Sequence, residues 1–236
     1  MQVQVISSVN EASSARFHHK TAIIIDVLRA TSTIATAISA GALCVIPAET
    51  VMEAKALQRP GDLLGGERFC RKIAGFDLGN SPEEYTERVV GGKRIVLTTT
   101  NGTRAIHKAM RADHVLTASL LNTEACARMA LDLRRDVVIL CAGSHDEFAI
   151  EDGICAGRVL DKLHSLGGAP VEMDDFGTAM LALYRNRSSS ILDTILSGNS
   201  GKRLIKLGMK RDIEACSSLD VLSDVPRLQG DILTRS

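Results

Sequence analysis

Four stretches of this sequence end an apolar run in side chains suited to an anion or a hard cation. In the first, Ile23-Ile24-Ile25 gives way to Asp26 and Arg29, and then to Thr31, Ser32 and Thr33. Helix N-terminal N–H groups, the three hydroxyls and the guanidinium together complement a tetrahedral oxyanion such as phosphate or sulfonate. The second stretch repeats the arrangement: Leu97-Thr98-Thr99-Thr100 runs into Asn101, Gly102, Thr103 and Arg104. In the third, Leu63-Leu64 leads to Gly65-Gly66-Glu67-Arg68, where paired glycines let backbone approach a ligand beside a carboxylate and an arginine. The fourth, Cys141-Ala142-Gly143, opens a loop toward Glu151 and Asp152 at the start of an apolar helix.

Together Asp26, Glu67, Glu151 and Asp152 form a set of hard oxygen donors beside an oxyanion pocket. Mg²⁺ suits that set, because it takes a few carboxylates, keeps water and bridges to phosphate oxygens. The first and fourth stretches also have a plain structural reading. Thr31 or Ser32 caps a helix with Arg29 on the surface, and Glu151 and Asp152 are ordinary first-turn acids. The turn-rich segment from Gly75 to Pro82 divides the same way: Asp77 and Asn80 are either pocket wall or loop. Gly198-Asn199-Ser200-Gly201-Lys202 resembles a phosphate-binding loop, but Arg203 stands where Ser or Thr should follow and no strand precedes it, so it reads as a helix cap. The six histidines show no metal-ligand spacing, and only His145, beside Asp146 and Glu147, invites a test.

Short β-branched runs alternate with helical patterns from the start of the chain. Strands are expected at Val3 to Ile6, Ala22 to Val27, Leu43 to Ile46, Leu63 to Leu64, Ile95 to Thr99, His114 to Thr117 and Val137 to Cys141. Helices are expected at Thr33 to Ser39, Val51 to Leu57, Thr103 to Met110 and Glu124 to Leu131. Strands apolar on both faces imply a mostly parallel sheet covered on both sides, a three-layer α/β/α sandwich. From Glu151 to Ser217 the pattern reads as helices broken at Gly167-Gly168, Asn186, Gly198 and Gly208, with a last strand near Val225 to Leu228. No linker divides the chain, so residues 1–236 are expected to form one domain with a helical C-terminal third.

The composition narrows the function. Twenty-eight basic residues balance 28 acidic ones, which leaves no global field for nucleic acid or an anionic membrane, and the 3% aromatic content leaves few stacking platforms. Six scattered cysteines without a C-x-x-C pair read as reduced core residues, and no window is apolar enough to span a membrane. These features point to a cytoplasmic protein acting on a small charged molecule. The apolar helices of the last third are candidates for a homo-oligomer interface.

The blocks Asp26 to Thr33, Gly65 to Arg68, Gly75 to Pro82, Thr98 to Ala105 and Glu151-Asp152, with Cys155-Ala156-Gly157 just behind, resemble in order and spacing the 2-phosphosulfolactate phosphatase family. The resemblance implies an α/β fold distinct from the common phosphatase folds. It also implies a Mg²⁺-dependent hydrolase that converts 2-phospho-3-sulfolactate to 3-sulfolactate, a step toward coenzyme M. On that reading Asp26, Glu67 and Asp152 hold the metal, Arg29, Arg68 and Arg104 with the hydroxyl-bearing turns bind the substrate's anionic groups, and Glu151 is the candidate base. The nucleophile is either activated water or Asp26. Leu28 stands where haloacid-dehalogenase phosphatases place their second aspartate, which favours water. Two rival functions are a phosphatase for another small phosphorylated organic acid and a non-enzymatic binder of small anions. A nucleotide-binding protein is weakened by the lack of a proper phosphate-binding loop.

Overall fold

The five residues of β2 (Thr21–Ile25) are all buried because the strand lies between two parallel neighbours and is covered on both faces. Its alternation divides the interior. Ile23 and Ile25 belong to one core with Val5, Val137 and Ile139, whereas Ala22 and Ile24 face a second core with Ile6, Val138 and Leu140. The computed structural model describes residues 1–168 and 170–236, and its elements follow the expected β-α alternation.

In chain order they are β1 (Gln2–Ile6), β2, α1 (Ala30–Ser39), β3 (Cys44–Ala48), α2 (Val51–Leu57), β4 (Leu63–Arg68), β5 (Arg71–Lys72), α3 (Glu87–Val90), β6 (Arg94–Thr98), α4 (Gly102–Lys108), β7 (His114–Ala118), α5 (Thr123–Asp132) and β8 (Val137–Cys141). The C-terminal third adds α6 (Ile150–Leu166), β9 (Glu172–Met173), α7 (Asp175–Arg187), α8 (Ile191–Ser197), α9 (Asn199–Lys206), α10 (Lys210–Cys216), β10 (Pro226–Gln229) and β11 (Ile232–Arg235).

All the strands join one sheet in the order β5-β4-β6-β3-β11-β10-β7-β2-β8-β1-β9. It is mostly parallel, as expected, and consists of two parallel blocks, β4-β6-β3 and β7-β2-β8-β1-β9. The single late strand expected near Val225 to Leu228 is instead the first arm of a hairpin. This β10–β11 hairpin lies between the blocks, with Arg227 opposite Leu116 and Leu233 opposite Val45.

The first core is covered by α5, α6 and α7, whose Cys126, Ile154, Val159 and Tyr184 are buried in it. The second contains Ile34 and Ile38 of α1 and Ile106 of α4 together with strand residues of both blocks. A third, smaller core under α2 takes Cys44, Ile46, Leu64 and Val96. Asn186 does not break a helix: α7 continues through it to Arg187, and the interruption falls at Ser188–Ser190. No helix among the described residues is long and apolar enough to cross a membrane.

Candidate active site

The four polar strand ends meet in one cleft beyond the carboxyl ends of β2, β4, β6 and β8, where open α/β sheets collect ligands. Asp26, Glu67, Asn80 and Asn101 line it, together with Arg29, Thr100 and Gly143. The hollow is about 510 Å³, open mouth included.

Asp26 follows directly on β2. Its Oδ1 accepts a hydrogen bond from the Ala30 N–H at 3.2 Å, so the carboxylate itself satisfies an orphan donor at the head of α1. The turn is closed by Thr31, whose hydroxyl donates to the Asp26 carbonyl and accepts from the Asp26 N–H, both at 2.9 Å. Oδ2 takes no hydrogen bond among the described residues. Burial pushes the carboxyl up to about 7, and the charges of Glu67 and Glu151 add to that effect, against the Ala30 N–H and Arg29. Gly102 is required here, since a Cβ on it would stand 2.4 Å from the Ala30 Cβ and 2.6 Å from Asp26 Oδ2. That glycine lets α4 close on the carboxylate.

Glu67 and Asp152 tie loops together. Glu67 Oε1 accepts from the Thr100 N–H at 2.7 Å and the Thr100 hydroxyl at 2.8 Å, while Oε2 accepts from the Cys70 N–H at 2.7 Å. Asp152 is engaged through both oxygens: Oδ1 accepts from the Val27 N–H at 2.8 Å and Oδ2 from the Gly143 N–H at 3.0 Å. It joins the loop after β2 to the loop after β8 and does not line the cleft. Burial, with Asp26 and Glu151 adding to it, holds its carboxyl well above the usual range against those two donors. Glu151, one residue earlier on α6, is buried, and its Oε2 has no partner among the described residues. Burial raises its pKa, and the Ser200 hydroxyl opposes the rise.

The expected anion binders separate. Arg29 is buried, not on the surface: it pairs with Asp212 of α10, donates to the Cys70 carbonyl at 3.1 Å and still lines the cleft. Asp212 is itself held by the Ser81 hydroxyl at 2.8 Å. Asn80 has a buried Oδ1 without a partner among the described residues, and Asn101 donates to the Gly143 carbonyl at 3.1 Å. The hydroxyls turn inward: Ser32 donates to the Val27 carbonyl at 2.8 Å, Thr33 to the Asn80 carbonyl at 2.9 Å and Thr103 to the Thr99 carbonyl at 3.1 Å. They shape the loops that line the cleft. Arg68 points away, donating to the Glu67 and Glu49 carbonyls and to the Thr98 hydroxyl. Arg104 lies outside the lining, donating to Asn10 at 3.2 Å and facing Asp146 at 3.6 Å. Asp77 is exposed and accepts from the Leu64 N–H, which makes it a turn residue.

Sequence reasoning passed over Arg203 and Asp212. Arg203, the residue that disqualified the phosphate-binding-loop pattern, lines the cleft from α9, and Gly198 is indeed the cap between α8 and α9. The signal for Arg203 was present as a basic run on an amphipathic helix. Asp212 gave none, because a lone acid on an exposed-looking helix has no distinguishing pattern. Cys70, expected in the core, sits on the rim of the cleft.

A family model described as 2-phosphosulpholactate phosphatase matches residues 6–231. The chain belongs to that family. Among its relatives, a probable 2-phosphosulfolactate phosphatase of Clostridium acetobutylicum is 41% identical over 241 residues, covering 99% of this chain and 100% of the relative. The probable 2-phosphosulfolactate phosphatase of Symbiobacterium thermophilum is 42% identical, covering 92% and 95% respectively. The one from Thermotoga petrophila is 42% identical, covering 90% and 91%. In this member of the 2-phosphosulpholactate phosphatase family no group of three or more His, Cys, Asp or Glu side chains among the described residues is arranged to hold a metal ion by itself. The cleft still fits Mg²⁺ as a partly hydrated ion. Among the described residues Asp26 Oδ2 takes no hydrogen bond and Glu67 Oε2 accepts one, and the charges of Glu67 and Glu151 raise the cost of ionising buried Asp26, which a divalent cation offsets.

Proposed function

We propose that the chain hydrolyses 2-phospho-3-sulfolactate to 3-sulfolactate and phosphate, with Mg²⁺ as cofactor. The observation that carries this reading is the convergence of Asp26, Glu67, Arg29, Asn80 and Arg203 on one cleft, in a chain related over nearly its full length to proteins named for that reaction. Asp26 and Glu67 would hold the ion, and Asp152 braces the loops behind them. Bound there, Mg²⁺ supplies charge neutralisation for the phosphoryl oxygens and acidifies water.

The residues themselves supply the rest. Arg29, fixed in orientation by Asp212, and Arg203 offer guanidinium donors for the equatorial phosphoryl oxygens, where charge accumulates in transfer. Glu151 Oε2, buried and unpartnered, accepts the proton of the attacking water. Its raised pKa makes it a stronger base than a surface carboxylate once it is ionised. The free cysteines suit the reducing cytoplasm, where we place the reaction.

Phosphate release from 2-phospho-3-sulfolactate and from a panel of other phosphomonoesters, with Mg²⁺ and then with excess EDTA, tests the reading. Preferential, EDTA-sensitive turnover of the sulfonate-bearing ester is expected. Turnover of other esters alone would keep the chemistry and discard the substrate, and no release from any ester would leave a binder of small anions. Acid-quenched turnover with labelled substrate distinguishes the nucleophile: water leaves no phosphoenzyme, whereas attack by Asp26 would trap one.

A further inference from the structure

A second cavity opens beside the cleft, between the loop after β8 and the head of α9. Phe148, Ile150, Glu151, Ser200, Lys202 and Lys206 form its walls. It shares Ser144, His145 and Arg203 with the cleft, so the two hollows adjoin.

Lys202, Arg203 and Lys206 stand at positions i, i+1 and i+4 of α9, and all three border this cavity. Among the described residues none of them forms an ion pair. Like charges four apart on a helix repel, so the spacing of Lys202 and Lys206 is unfavourable until an anion lies between them. Independently, the wall carries Glu151, a buried side chain whose Oε2 has no partner among the described residues and is therefore left for a proton-bearing group. In the phosphatase reading that group is the attacking water. The cavity thus abuts the reaction centre on one side and carries unpaired cationic charge on the other.

We propose that this cavity is the subsite for the substrate's second strong acid group, a sulfonate held by Lys202 and Lys206, with Arg203 at the junction between it and the phosphoryl group. The inference rests on the phosphatase reading and adds the origin of its specificity. A sulfonate is a weakly basic anion that stays ionised at neutral pH, and flexible ammonium point charges match its three oxygens without demanding one geometry. A phosphoester that lacks the sulfonate reaches the same cleft but leaves the α9 lysines unpaired.

The test compares 2-phospho-3-sulfolactate with 2-phospholactate, the same ester without its sulfonate, in wild type and in the Lys202→Gln/Lys206→Gln variant. Lys210→Gln, which removes one charge on α10 from a residue paired with Glu214, controls for general charge steering. Expected is a rise in KM of roughly tenfold or more for the sulfonate-bearing ester and less than twofold for 2-phospholactate. Binding of 3-sulfolactate itself, measured by calorimetry, should weaken by a similar factor in the double variant. Equal effects on both esters, or an effect that Lys210→Gln reproduces, would overturn the subsite. Cleavage of both esters with no lysine dependence of KM or Kd would remove the subsite and leave the phosphatase reading standing. Lysine-dependent binding of 3-sulfolactate without turnover of any ester would do the reverse.

Discussion

Asp26 combines three tasks: it follows directly on β2, accepts the first N–H of α1 and lines the cleft. Its carboxyl is raised by burial to about 7, so the fold favours its protonated form. The linkage has a definite sign: the contribution is fully present below the unfolded carboxylate value near 4, falls as pH rises and is lost above about 7. Asp26→Asn, an isostere that carries no charge, is therefore expected to abolish turnover. In EDTA at pH 8 it should also stabilise the fold by about 1–3 kcal/mol, an advantage that vanishes near pH 4. Urea unfolding of both forms at the two pH values checks this, and a variant less stable than wild type at pH 8 would contradict the assignment. Asp26 and Glu67 were legible in the sequence as cleft residues because each follows an apolar run that turns abruptly polar, whereas the turn-rich segment around Asn80 left pocket wall and loop open. The inward turn of Ser32, Thr33 and Thr103 was not, since a hydroxyl at a helix head serves its own backbone as readily as a ligand.

At the scale of elements, the cleft depends on how closely α1, α4 and α10 approach one another. Gly102→Ala places a methyl against the Ala30 Cβ and Asp26 Oδ2 and should cost about 1–3 kcal/mol. It should also lower kcat at least tenfold by displacing the carboxylate; an alanine variant with wild-type kcat and Tm would show that α4 has room to retreat. Asp212→Asn removes the charge that fixes Arg29 and leaves a buried guanidinium poorly compensated. A loss of about 2–4 kcal/mol is expected, with a fall in kcat/KM larger than that of Lys210→Gln on the same helix. Thermal melts and steady-state rates on the same preparations test both effects. The strands and early helices followed from their periodicity and ran within a few residues of expectation. The link from α10 to Arg29 did not, because pairing between residues 183 apart leaves no local trace.

For the whole molecule, the β10–β11 hairpin is the piece that makes one sheet of two parallel blocks, and Leu233 is fully buried in the second core. A chain ending at Val225 would lose the strands between β3 and β7 and open that core. It is expected to lose its cooperative thermal transition, which circular dichroism would show; a sharp transition in the truncated chain would mean the blocks hold together through α1 and α4 alone. The mostly parallel sheet was legible from β-α alternation. The hairpin's central position was not, since a short strand pair at the chain's end carries no record of which strands it separates.

The most direct test of the Asp26-centred cleft is phosphate release from 2-phospho-3-sulfolactate by wild type and Asp26→Asn side by side in Mg²⁺, with folding of both confirmed by their melts. Release of phosphate and 3-sulfolactate in equal amounts by wild type, and none above background from the folded variant, is the predicted result. Comparable release by both proteins, or none by wild type, would contradict it.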